Sequence, residues 1–139
     1  MDKRLIVLGA KAELARRDFF DYCSLMAPDF YQPDRQYLVR LCREFQAFVE
    51  SDDEVMIVNL PPRHGKSRTA GMLVEWVLGR DPSQKIMTGS YNETLSTMFS
   101  KNVRNAISEQ KADLYIPVYA DVFPDTRIKH GDGAMNLWS

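Results

Sequence analysis

One stretch constrains the fold more than any other. Residues 54–60 (EVMIVNL) are β-branched and nearly continuous in apolar side chains, and they run straight into PPRHGKS and then a helix-patterned segment. A short apolar run of this kind reads as a strand covered on both faces, as in the interior of a parallel sheet. The helix expected from Lys66 to Leu78 carries Ala70, Leu73, Val74 and Val77 on one stripe, and Gly79 with Pro82 closes it. A second short strand is expected at residues 85–90 (KIMTGS). The helix after it, NETLSTMFSKNVRNAI, places Leu95, Met98, Phe99, Val103 and Ile107 on one face, with Lys101 and Arg104 away from it. Strand, helix, strand, helix predicts an α/β fold with a parallel sheet and flanking helices.

Upstream, residues 9–26 are rich in helix formers and end before Pro28. Leu38, Leu41, Phe45 and Phe48 then recur at helical spacing from a start at Pro33. The chain therefore divides into a helical lead-in (1–53), a core of strand, loop, helix, strand and helix (54–110), and an irregular tail (111–139).

The loop between the first strand and its helix carries the chemistry. A triphosphate is a dense, well-hydrated anion, so a protein that binds it must offer many converging donors with no bulky side chain in the way. A turn from a strand tip into a helix N-terminus does this, because backbone N–H groups point at the ligand and the helix dipole adds partial positive charge. In the pattern G-x-x-x-x-G-K-[ST] the lysine reaches the outer phosphates and the hydroxyl binds Mg²⁺. Gly65, Lys66 and Ser67 supply that ending, whereas Leu60 stands where the first glycine belongs and Pro61 and Pro62 fix the approach to the turn instead. Pro62, Arg63, His64, Gly65, Lys66, Ser67 and Arg68 are the candidate nucleotide contacts, with Lys66 and Arg63 as catalytic candidates and Ser67 as the Mg²⁺ ligand. Arg63, inside the loop, is the better placed of the two flanking arginines to stabilise charge developing on the γ-phosphate; Arg68 is the other.

The run PPRHGKS closely resembles the large terminase subunits of tailed phages and prophages. In that family a similar loop is followed by a G-R-x-P turn, a strand ending in S-Y and an F-S-x-x-V-R helix. Here these are Gly79-Arg80-Asp81-Pro82, Ser90-Tyr91 and Phe99-Ser100-Lys101-Asn102-Val103-Arg104. The resemblance extends from about Ala15 to Trp138 and takes in ARRDFFDYCSLMAPDF and VFPDT. It implies a RecA-like P-loop ATPase fold and a motor that drives double-stranded DNA into a capsid with ATP and Mg²⁺. It also implies a portal ring and a small terminase subunit as partners, a possible homo-oligomer on the portal, and the bacterial cytoplasm as its place of work. An adenine-reading glutamine is implied upstream of the loop, for which Gln36 is the first choice and Gln32 the second; a glutamine amide can both donate to and accept from the base edge.

Such motors also need an apolar strand ending in acidic residues, one carboxylate holding Mg²⁺ and another polarising the attacking water. Asp121, Asp125 and Asp132 follow no such strand and are not assigned that role, and the nuclease domain of the family is not in this sequence. The expectation is therefore a shortened terminase ATPase domain that binds ATP and hydrolyses it weakly or not at all alone. The alternatives are a catalytically dead prophage remnant acting only in protein association, and a small P-loop kinase.

Composition narrows the rest. With 45% hydrophobic and 27% charged residues and a net charge of -1, the chain is neither a polycationic nucleic-acid binder nor a membrane span, and the apolar patch at residues 5–8 is shorter than a secretory signal. Cys23 and Cys42 sit among apolar and aromatic neighbours, which favours free buried thiols inside a cell. No paired cysteine spacing suggests a transition-metal site, and the two histidines are His64 and His130.

Overall fold

Helix formation begins at Asp2, whose side chain accepts from the Arg4 amide and caps α1 (Lys3–Arg17). In the computed structural model, which describes residues 2–128, the expected single helix over 9–26 is two: Asp18 adopts an extended conformation, ends α1, and caps α2 (Phe19–Met26) by accepting from Asp21 N. Gln46 closes this junction from the side. Its Oε1 accepts from Phe19 N at 2.9 Å and its Nε2 donates to Arg17 O at 3.0 Å, so a donor and an acceptor freed by the break are both satisfied. Gln46 belongs to α3 (Gln36–Val49), which starts three residues later than Pro33 because residues 33–35 form a turn.

After a long irregular stretch come α4 (Lys66–Arg80), α5 (Glu93–Ser108) and the short α6 (Tyr119–Val122). α5 begins where Asn92 accepts from Leu95 N. α4 runs through Gly79 and stops at Asp81; the glycine is needed there because a Cβ would collide with the ring of Phe123. α2 packs against α1, α3 and α4, while α5 packs on α4 and α6.

The expected α/β parallel sheet of the P-loop, RecA-like kind is overturned. No strand forms among the described residues, and all their regular structure is helical. A strand persists only when its N–H and C=O groups find a neighbouring ladder, and residues 54–60 and 85–90 find none. The first segment still alternates: Met56, Val58 and Leu60 lean on the helical core, while Val55 and Ile57 are 76% and 81% exposed. It is covered on one side, not two. Residues 85–90 are exposed throughout.

The core is correspondingly helical and aromatic. Trp76, Phe19, Tyr22, Tyr31 and Tyr119 are fully buried, and Trp76 Nε1 donates to Ala15 O at 2.8 Å. The stripe expected on α4 is rotated: Thr69, Met72, Glu75 and Trp76 are the buried positions, with Leu73, Val74 and Val77 half-buried beside them. The segment expected to be irregular contributes Tyr119, Val122 and Phe123 to the core, and Arg16 ties it to α1 by donating to the carbonyls of Val122 and Asp121. Cys23 and Cys42 are buried and unbridged, with Sγ atoms 4.0 Å apart. No helix among the described residues is long and apolar enough to cross a membrane.

Candidate phosphate site

Pro61 and Pro62 bring the chain out of the 54–60 segment into a tight turn that delivers it to α4. Two residues of that turn have positive φ, Arg63 at 63° and Gly65 at 84°. Gly65 is the cap of α4, and glycine is required there twice over. Its left-handed conformation disfavours a Cβ, and a Cβ would stand 2.6 Å from Cε2 and Cζ of Phe30. The first bond of α4 runs from Thr69 N to Gly65 O at 2.8 Å. The amides of Lys66, Ser67 and Arg68 precede it and have no acceptor within the helix, which leaves them available to an anion.

Side chains from the lead-in brace the turn. The His64 ring meets Tyr37 edge-on at 5.4 Å, and its Nδ1, in the tautomer that carries hydrogen there, donates to Pro62 O at 3.0 Å. Tyr31 and Thr69 share a buried hydroxyl–hydroxyl bond of 2.9 Å, which pins the first turn of α4 to the segment before α3. Arg68 lies over the ring of Phe30 at 4.9 Å. Pro62, Arg63, Lys66 and Ser67 are exposed at the surface of the turn.

Lys66, Ser67 and Arg68 also form one end of a groove of about 900 Å³ between α4 and α5, of the size that small ligands occupy. Met72 and Phe99 supply apolar walls, and Glu75 reaches the groove from the core. Glu75 is 6% exposed, and its Oε1 accepts from the Tyr22 hydroxyl at 2.6 Å. Tyr119 donates to its backbone carbonyl at 2.7 Å. Burial pushes the Glu75 carboxyl up to about 7, against the smaller opposing effect of the Tyr22 hydrogen bond. The Tyr22 hydroxyl is itself raised well above its ordinary range, first by burial and then by the neighbouring carboxylate.

The structure thus gathers residues 62–68 into one turn and helix start. Gln36 and Gln32 sit apart from the groove. Gln36 donates to Pro33 O at 3.4 Å and Gln32 to Asp29 O at 2.9 Å, each a local bond in the approach to α3. Asp121 accepts from Lys111 Nζ at 2.7 Å and from Val118 N at 2.9 Å, so its carboxylate serves α6. Asp132 and His130 lie outside the described residues.

Sequence reasoning missed Glu75. Its only signal is position, since it stands three residues after Met72 and one before Trp76, on the stripe that α4 buries.

Among the described residues no group of three or more His, Cys, Asp or Glu could hold a metal, but Mg²⁺ on a nucleotide keeps most of its waters and leans on phosphate oxygens. An exposed Ser67 hydroxyl beside the helix start fits that demand.

No family model, no curated protein and no solved structure matches this chain.

Proposed function

We propose that the turn at residues 61–67 and the first turn of α4 bind the polyphosphate of ATP with Mg²⁺. In this reading the chain is the ATP-binding part of a DNA-packaging motor subunit of the terminase large-subunit kind. One observation supports the phosphate reading above the rest: a left-handed Gly65, which tolerates no side chain, feeds a G-K-S sequence into the N-terminus of a 15-residue helix. That arrangement offers backbone donors, dipole and ammonium together, and it needs no sheet behind it to do so.

Within this proposal the amides of residues 66–68 and the Lys66 ammonium hold the outer phosphates. Ser67 Oγ is the protein's ligand to Mg²⁺, which when bound neutralises charge on the phosphate oxygens. Arg63, exposed at the crest of the turn, contacts the γ-phosphate. In this reading hydrolysis is weak: among the described residues no apolar strand ending in acidic residues forms to offer a carboxylate that would polarise water, and Asp121 is committed to α6. The assignment to a packaging motor, with a portal, a small subunit and double-stranded DNA as partners, rests on the linked motifs at residues 61–67, 79–82, 90–91 and 99–104.

Calorimetric titration with ATP and Mg²⁺ tests it. Charge-assisted contacts contribute about 1.5–3 kcal/mol each, so Lys66→Ala is expected to weaken binding roughly 10- to 100-fold. Absence of saturable binding by the folded wild-type chain would sink the proposal. Rapid turnover abolished by Lys66→Ala would refute the claim of weak hydrolysis.

A further inference from the structure

We infer that the groove between α4 and α5 is a nucleobase site, with Glu75 accepting a hydrogen bond from an amino-bearing base such as adenine. This inference rests on the reading of the turn as a phosphate site and extends it to the other half of the nucleotide. The two ends of the groove suit the two ends of such a ligand. Lys66, Ser67 and Arg68 stand at one end, and Glu75 stands nine residues further along the same helix, a rise of roughly 13 Å at 1.5 Å per residue. Between them the groove is floored by Gly71, where no side chain intrudes, and walled by Met72 and Phe99.

Glu75 is the element that burial and packing alone leave unexplained. A carboxyl with 6% exposure is costly to place in a helical core, and an apolar residue would serve the fold better. Its Oε1 is engaged by Tyr22, whereas no described residue donates to Oε2, and the side chain reaches the groove. An acceptor at the end of an apolar slot selects a flat ring that carries an N–H edge. Gln36, implied for base reading by family resemblance, lies outside the groove and is not needed for this role.

Three probes separate the two halves: inorganic tripolyphosphate for the turn, adenosine for the groove, and ATP for both. Two variants alter the groove. Gly71→Ala narrows it; a Cβ at Gly71 meets only ordinary contacts, 3.7 Å from Phe99 and 3.8 Å from Val103. The double variant Glu75→Met with Tyr22→Phe removes the acceptor and its partner together, an exchange the core tolerates because no polar group is left alone.

The wild-type chain is expected to bind ATP at least tenfold more tightly than tripolyphosphate, and adenosine detectably by saturation-transfer NMR. Either variant should lower the ATP advantage at least fivefold while leaving tripolyphosphate binding unchanged, which also certifies the fold. If adenosine does not bind, or if both variants keep the wild-type ATP advantage, the groove assignment is overturned. If tripolyphosphate alone fails to bind, the phosphate site fails and adenosine still decides the groove.

Discussion

Replacing Glu75 with glutamine should change how stability depends on pH, and the size of the change follows from the site. Burial raises the carboxyl from its ordinary 4.5 to about 7. A raised carboxyl pKa means that folding favours the protonated form. The penalty for burying the charge is absent below about pH 4.5, grows as pH rises, and is complete once pH passes 7. At about 1.4 kcal/mol per pH unit, the difference comes to about 3 kcal/mol. Glutamine has nearly the same shape, keeps an oxygen to accept from Tyr22 and does not titrate, so its stability should lack this decline. Urea denaturation at pH 4.5, 6, 7 and 8, followed by tryptophan fluorescence, measures both proteins, since Trp76 is buried one residue away. The gap between variant and wild type should widen by about 3 kcal/mol from pH 4.5 to 8, or about 10 °C in Tm for a chain of this size. Other titrating groups cancel in the difference. A gap that stays constant with pH, or one that narrows, would refute the reasoning that Glu75 is buried without a compensating cation.

Three further outcomes are expected. Gly65→Ala forces a side chain into a left-handed position and against the Phe30 ring, so it should destabilise the chain by about 2–4 kcal/mol in urea melts. Arg63→Gly relieves a positive φ of 63° worth roughly 1–2 kcal/mol but frees the unfolded chain by a similar amount; stability should move by less than about 1 kcal/mol while calorimetry shows weaker ATP binding. Cys23, whose thiol burial pushes well above its ordinary range, should react with a thiol reagent such as DTNB only at the rate of unfolding, as should Cys42 behind it.

Helices were legible in the sequence because their signals are local. Asn92 before α5, Leu38, Leu41 and Phe45 along α3, and Gly65-Lys66-Ser67 opening α4 each announce themselves within one or two turns. The sheet was misread because composition cannot say whether a neighbour exists. Val55, Ile57 and Ile86 have the side chains of a strand, yet a strand is a relation between segments, and no described segment pairs with either run. Removing the sheet also explains the rotated stripe on α4: its buried face turns toward α2, so Met72 and Trp76 become core and Glu75 goes in with them. Tyr119, Val122 and Phe123 escaped notice because a helix of four residues has too little length to show a period. The turn at residues 61–67 depends on Gly65 and two prolines, all readable one residue at a time, whereas the groove beside it depends on two helices meeting.

In the proposed reading, backbone amides at the start of α4 receive phosphate. Amide proton–nitrogen NMR spectra recorded while ATP and Mg²⁺ are added test it directly. Saturable shifts are expected, largest at Gly65, Lys66, Ser67 and Arg68, with the same four affected by tripolyphosphate alone. Resonances at these positions that stay fixed while ATP binds elsewhere on the chain would contradict it.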